Sequence, residues 1–539
     1  MNLITDPWLN YLFKDGSEQQ LPFSAIVDPN IVDFALPRAD FYGAAYQFAI
    51  GVLQTAMAPE DTHDWHTLYQ QPPSKDALSS YTQQVAHAFE LTGDGPRFMQ
   101  DSDPLDAASP NPVSGLLIEA PGANGLKLNT DHFIKRGIAE ELSQEMAALA
   151  LFTLQVNAPS GGQGHRTGLR GGGPLTTLVL PHEADSSLWK KLWLNVQSLE
   201  SWDYPTPDYH SAEVFPWLGP TRISNNKGSE IYAHDVHPLA MFWAMPRRIR
   251  LIFEEQAGTC QLSMTTCSRL CRQYRASNYG NNYDGTWSHP LTHYRFNPKN
   301  PNEAYLSTKG QPGGIQYRQW HSLSFVDIDE GSLPAKVVQD FMREKSHFFD
   351  FEWGEAPRLW AFGFDMDNMK ARGWYNSEFP LIRLEPEIRD TLLSEIKVLQ
   401  NLAQEVLWHC RTQIKAAWFD KPKDAKGDTS FIDLQFWQRT QDLFFSSVQE
   451  LVSTDDGRLT PNMAKRWLNK LSAQAIDLFD EQVLTNFHPD RDMYKKMQAR
   501  QHLTGWLFGG KQTKKFRSDY NVDSLTASSL AVDNSTVNN

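Results

Sequence analysis

Two stretches hold the residue types best able to do chemistry. The first reads Ala158-Pro159-Ser160-Gly161-Gly162-Gln163-Gly164-His165-Arg166-Thr167-Gly168-Leu169-Arg170-Gly171-Gly172-Gly173-Pro174. Glycine has no Cβ and reaches positive φ, so such a loop can lay bare main chain against a flat or charged ligand. Backbone amides of this kind can cradle phosphate. A nucleotide-binding P-loop, however, ends in Gly-Lys-Ser/Thr, and here Gly164 is followed by His165 and Arg166. The second stretch is Gly363-Phe364-Asp365-Met366-Asp367-Asn368-Met369-Lys370-Ala371-Arg372. Two carboxylates two apart favour a hard cation such as Mg²⁺. A metal-dependent nuclease built on Asp365, Asp367 and a histidine such as His289 is therefore the enzymatic alternative, although no further acidic or histidine cluster accompanies the pair. Cys260, Cys267 and Cys271 are spaced by seven and four. Zinc sites favour close Cys pairs, so zinc would need a distant fourth ligand. The expectation is free, partly buried thiols and no cofactor.

Composition narrows the classes. At 539 residues the chain exceeds one hydrophobic core, so two or three units are expected. With 50 Lys plus Arg against 64 Asp plus Glu, the net charge of -14 excludes a protein that grips nucleic acid over its whole surface. Any such binding must use local patches or an assembly. Four cysteines do not make a disulfide scaffold, which points to a reducing cytoplasm. No secretory signal is expected at the N-terminus. The longest apolar run, Phe41 to Ala58, is broken by Gln47, Gln54 and two glycines and reads as a buried helix, with no membrane span.

The elements that must position these loops follow from periodicity. Ala44 to Ala58 and Ala139 to Val156 are helical, the latter running into the glycine loop. Pro246 to Phe253 reads as a strand with a basic face of Arg247, Arg248 and Arg250. Residues 1–380 are expected to form an α+β domain. From Glu385 the apolar positions Ile388, Leu392, Ile396, Leu399, Leu402, Val406, Cys410, Ile414 and Ala417 step by three or four, one stripe of a long helix. Lys421 to Asp428 breaks it, and Phe431 to Val452, Pro461 to Leu484 and Pro489 to Leu503 follow, giving a four-helix bundle over 385–505. Two of these helices carry basic faces, Lys465, Arg466 and Lys470 on one and Arg491, Lys495, Lys496 and Arg500 on the other. Residues 506–539 turn polar and are expected to be a disordered tail.

Several separated segments, in one order, resemble the large subunit of the type I-E CRISPR surveillance complex Cascade, the CasA family. They are Asn2-Leu3-Ile4-Thr5-Asp6-Pro7-Trp8, Leu36-Pro37-Arg38, His132-Phe133-Ile134-Lys135-Arg136, the glycine loop, Pro246-Arg247-Arg248-Ile249-Arg250-Leu251, Trp287-Ser288-His289-Pro290-Leu291 and the Gly363–Arg372 stretch. The resemblance implies an α+β domain followed by a helical bundle and no catalysis. It implies that Gly161, Gly162, Gln163 and Gly164 present backbone to the minor groove of the protospacer-adjacent motif (PAM), a groove about 6 Å wide. It also implies a loop wedge that parts the first target base pair, matched best by Asn368 beside Asp367, Met369 and Lys370. Asn278, in Ala276-Ser277-Asn278-Tyr279-Gly280, aligns with a third PAM contact, and Lys299 with a nonspecific DNA contact. His132, Phe133, Lys135 and Arg136 match a loop that meets the guide RNA or the backbone subunits. Lys495, Lys496 and Arg500 would hold DNA from the bundle. The implied partners are target duplex DNA, guide RNA, the backbone, small and guide-end subunits of Cascade, and the helicase-nuclease. A purely structural capping subunit is the non-enzymatic alternative.

Overall fold

A computed structural model describes residues 1–120, 137–159, 161–162, 164–300, 302–351, 355–367, 370–424, 427–485 and 493–522. The chain divides into one unit of Met1–Gln311 with Ser322–Leu381, and a second of Pro312–His321 with Ile382–Asn539. The first mixes strands with helices; the second is helical.

The first unit opens with an antiparallel sheet of β1 (Leu9–Phe13), β2 (Glu18–Leu21) and β3 (Ile31–Phe34), in the order β2-β1-β3. Helix α1 (Ala39–Met57) follows and is buried on almost every side, as an all-round apolar helix must be. Its Phe48 meets Trp8, Phe89, Phe98, Phe152 and Trp243 edge-on, with ring centroids 5.2 to 6.1 Å apart. Such pairs add about 0.5–1.5 kcal/mol each beyond area burial, so this cluster is the centre of the core. The glutamines that interrupt the apolar run are satisfied inside it: Gln54 donates to the Gln197 carbonyl at 3.0 Å and accepts from the Gln197 amide at 2.8 Å. Among the described residues no helix is long and apolar enough to cross a membrane.

Helix α2 (Gln144–Asn157) starts where Ser143 Oγ accepts from the Met146 amide, with Glu145 in the first turn. It stops at Ala158-Pro159, because the residue before proline is pushed out of the helical region. The glycine loop follows and delivers the chain into β4 (Thr176–Leu180). Next come β5 (Arg248–Glu254) and β6 (Leu270–Ser277), paired antiparallel, and the short strands β7 (Tyr294–Arg295) and β8 (Leu306–Ser307). The hairpin of β9 (Arg358–Asp367) and β10 (Lys370–Pro380) closes the unit. β9 lies between β10 and β4, so one sheet carries both the exit of the glycine loop and the hairpin.

The expected basic face on the Pro246–Phe253 strand is corrected. Arg248 Nε lies 2.5 Å from Asp101 Oδ2, and Arg250 donates to the Asp101 carbonyl at 3.0 Å. A distant segment takes both side chains, the Asp101 carboxylate pairing with Arg248 and the Asp101 carbonyl accepting from Arg250, and the strand pattern alone could not reveal it.

In the second unit α3 (Arg389–Trp418) buries the stripe Leu392, Ile396, Leu399, Val406, Cys410 and Ile414, and packs along α4 (Ser430–Val452), α5 (Pro461–Asp480) and α6 (Met493–Gly509). Thr460 caps α5 by accepting from the Met463 amide at 3.3 Å, with Pro461 in the first turn. Two expected boundaries change. The segment 312–321 belongs with this unit: Tyr317 stacks on Phe444 at 4.4 Å, bonds Thr440 at 3.0 Å, and accepts from Gln400 through its carbonyl at 2.7 Å. The tail expected to be disordered from 506 continues as helix to Gly509 and then forms α7 (Lys511–Asp519), packed against α3, α5 and α6. Phe516 is buried and the Tyr520 hydroxyl donates to Glu395 at 2.6 Å, so two aromatics anchor an otherwise polar stretch. The unit therefore holds more than the four helices expected.

Candidate nucleic-acid interface

The glycine loop is pinched at its neck by main chain alone. Gly168 donates to the Ala158 carbonyl at 2.9 Å, Gly173 to Asn157 at 3.1 Å and Gly171 to Gly168 at 2.8 Å. Beyond the neck Gly161 and Gly162 are exposed at the tip. Three arginines hold this shape. Arg247 donates to the Pro159 carbonyl. Arg166 grips Ser224 through its hydroxyl at 2.7 Å and its carbonyl at 2.5 Å. Arg170 is buried and donates to Thr176 at 3.0 Å, Thr292 at 3.1 Å and Gln47 of α1 at 2.5 Å, all neutral acceptors. Burial pushes Arg170 and Arg247 each down to about 10, so both remain protonated at neutral pH. Arg247 is spent on a backbone carbonyl and Arg170 on buried side chains, and the loop offers a ligand mostly main chain.

Asn278 stands at the end of β6 against this loop. The Tyr279 amide donates to the Gly164 carbonyl at 2.7 Å, and the Ser224 amide donates to the Tyr279 carbonyl at 3.0 Å. Tyr279 has φ of +62°, a left-handed conformation that non-glycine residues rarely hold. A Cβ on Gly164, itself at φ +77°, would come within 2.7 Å of Asn278 Cβ, so the two loops are in direct contact. The exposed Asn278 side chain sits beside the exposed tip.

The hairpin joins the same patch through the sheet. β9 pairs with β4 from Arg358↔Leu180 to Phe362↔Thr176, and only Leu175 separates β4 from Pro174. Between loop and hairpin runs a third segment: the Leu175 amide donates to the Thr308 carbonyl at 2.8 Å, Pro174 bridges Lys309, and Gly310 bridges Asp365. Asp365 is buried, with Arg372 Nη2 at 2.7 Å; Arg372 Nη1 lies 3.8 Å from Asp367. An arginine thus occupies the place where the acidic pair would hold a cation. Among the described residues no group of three or more His, Cys, Asp or Glu could hold a metal. His289 is buried, accepts from the Leu291 amide at 3.1 Å, and is held neutral by burial and the nearby Arg170 charge. Cys260, Cys267, Cys271 and Cys410 are free thiols, and burial pushes Cys271 up to about 12.

Other expected residues fare unevenly. Lys299 is exposed in a turn where its amide donates to Asn297, and Lys370 is exposed opposite Asp367 at the start of β10. Gln163, Asn368, Met369, His132, Phe133, Lys135, Arg136 and Arg491 lie outside the described residues. On α6 the expected basic face is corrected. Lys496 is only 4% exposed, Arg500 forms two bonds to Asp480 at 2.7 and 2.8 Å, and Lys495 pairs with Asp420 at 2.7 Å. Of the α5 set, Lys465 is exposed while Arg466 pairs with Glu450. Sequence reasoning missed Lys309, Ser224 and the anchoring roles of Arg166, Arg170 and Arg247. Arginine interleaved with glycine was the available signal for two of them; nothing local marked Ser224 or Lys309.

The profile of the CRISPR-associated protein Cse1 family matches residues 2–478. The chain belongs to the Cse1 family. Its fold is that of Cse1 proteins of known structure. The crystal structure of CasA from Thermus thermophilus superposes with a TM-score of 0.66 at 16% identity, covering 96% of this chain and 99% of that one. Cse1 from Acidimicrobium ferrooxidans gives 0.64 at 16% identity, over 96% and 99%. A chain of a CRISPR RNA-guided surveillance complex gives 0.64 at 13% identity, over 94% and 99%. At such low identity the Cse1 likeness fixes the fold, while the roles of individual side chains rest on their own geometry.

Proposed function

We propose that this chain is a non-catalytic DNA-recognition subunit of a type I-E RNA-guided surveillance complex in the cytoplasm. The tip Gly161–Gly164 enters the minor groove of the PAM, where bare backbone fits and bulky side chains do not. Asn278 donates to groove acceptors from beside it. The hairpin tip, with Asn368 as wedge, then parts the first target base pair. Unstacking costs a few kcal/mol, which PAM contacts and guide pairing offset. The guide carries the remaining sequence specificity, and the subunit goes on to present a surface to the helicase-nuclease. The helices after residue 385 act as a bundle that holds the displaced strand. Lys495 can serve there by exchanging Asp420 for a phosphate, since an exposed ion pair is worth at most about 1 kcal/mol.

The observation that carries this reading is the contact of Gly164 with the Asn278–Tyr279 turn, in a patch continuous through Thr308–Gly310 with the hairpin. Segments far apart in sequence meet where a duplex could be both read and opened. The test is binding of labelled duplexes with randomised flanks to the guide-loaded complex, with and without this chain. Enrichment of a few flanks only when the chain is present, with Asn368→Ala retaining that enrichment but blocking strand opening, is the expected result. Flank enrichment indifferent to the chain would leave it a structural cap.

A further inference from the structure

The segment 306–310 is the seam between the glycine loop and the hairpin, and one cation stands on it. β8 continues past Ser307 as extended chain: the Thr308 amide donates to the His293 carbonyl at 3.0 Å, Lys309 bridges Pro174, and Gly310 bridges Asp365. Side chains of an extended segment alternate, so Ser307 and Lys309 share a face. That face is turned to the glycine loop. Ser307 Oγ donates to the Arg170 carbonyl, and the Lys309 Cε and Nζ lie 3.7 and 4.0 Å from where a Cβ on Gly171 would stand. The lysine is exposed, while its backbone is fixed on both sides.

The arginines of the glycine loop and of the hairpin are committed. Arg166, Arg170 and Arg247 hold the loop, Arg372 neutralises Asp365, and Asn278 is uncharged. Lys309 enters no ion pair among the described residues. A chain of net charge -14 must confine its attraction for polyanions to such places. Resting on the reading above, we propose that Lys309 is a phosphate-binding residue, gripping the DNA backbone that flanks the groove entered by the glycine tip. A lysine ammonium is a point charge on a flexible stem, suited to phosphate and carrying no base information. The phosphate contact sets how firmly the duplex is held while the loop tests the flank.

The experiment compares guide-loaded complexes carrying the unaltered chain, Lys309→Ala, Lys309→Arg and Gly164→Ala. Affinity for preferred and non-preferred flanks is measured from about 50 to 200 mM salt. Loss of one phosphate contact lowers the slope of log affinity against log salt by about 0.9. Over that fourfold salt range the advantage of the unaltered chain over Lys309→Ala should therefore shrink about 3.5-fold. The ratio between flanks should stay unchanged, and Lys309→Arg should restore the slope. An unchanged slope in Lys309→Ala, while Gly164→Ala loses flank preference, overturns the assignment of Lys309 and leaves the PAM reading standing. A lost flank ratio at unchanged slope in Lys309→Ala also overturns it, because the lysine would then be shaping the loop. If neither variant changes binding, the DNA-recognition reading itself falls.

Discussion

Gly164→Ala adds one methyl group to a position with no room for it. The new Cβ would stand 2.7 Å from Asn278 Cβ, whereas ordinary contact begins near 3.4 Å, so the two loops must separate by about 0.7 Å (3.4 − 2.7). The residue also keeps a φ of +77°, which costs a non-glycine residue roughly 1–2 kcal/mol. Gly162 separates these effects, because it has φ of +94° and nothing within 4 Å of its would-be Cβ. Gly162→Ala should therefore add strain without moving Asn278. Two assays read the difference. In the free chain, hydrogen exchange of the Tyr279 amide, which donates to the Gly164 carbonyl, should accelerate in Gly164→Ala and hold steady in Gly162→Ala. In the guide-loaded complex, Gly164→Ala should lose about 1–3 kcal/mol of flank discrimination, the worth of one misread base pair, or roughly tenfold in selectivity. Gly162→Ala should weaken duplex binding through its own methyl in the groove. Unchanged Tyr279 protection together with unchanged flank selection in Gly164→Ala would refute the coupling of the two loops.

Two further outcomes follow from buried groups. His293 is enclosed between Thr308, at 2.5 Å, and Ser332, at 2.8 Å, and burial brings it down from an ordinary value near 6.5 to about 4. Because the folded-state value lies below the unfolded one, its contribution to stability is complete above about pH 6.5 and is lost as pH falls towards 4. From this residue alone unfolding should become easier by about 2 kcal/mol between pH 7 and 5, checked by urea titration. His293→Gln should flatten that dependence, and equal pH sensitivity in both chains would count against it. Lys496→Glu reverses the charge at a site 4% exposed and should destabilise the helical unit by about 3–5 kcal/mol in a melting experiment. A folded Lys496→Glu chain of unaltered stability would instead place this side chain in solvent.

Much of the fold was legible locally. The stripe from Leu392 to Ala417, the Pro461 start of α5 and the approach of α2 to Pro159 each follow from neighbours within a turn or two, and these elements form as expected. The glycine string announced a backbone surface, and the order of separated motifs announced the Cse1 family independently of the fold. Neither α7 nor the alliance of 312–321 with the helical unit could be foreseen. Phe516, Tyr520, Tyr317 and Trp320 are isolated apolar residues whose partners lie far along the chain.

The candidate site divides in the same way. The sequence alone determined which residues could reach positive φ and expose main chain, because that is a property of glycine itself. Only the tertiary structure decided which charges remain available. Asp365, Asp101 and Asp480 each neutralise an arginine, and burial removes Lys496. It also set Lys309 between two loops through backbone bridges that no residue type encodes. Helix and turn signals act over a few residues and are written locally, whereas ion pairing and exposure depend on which distant segments the fold brings within a few ångströms.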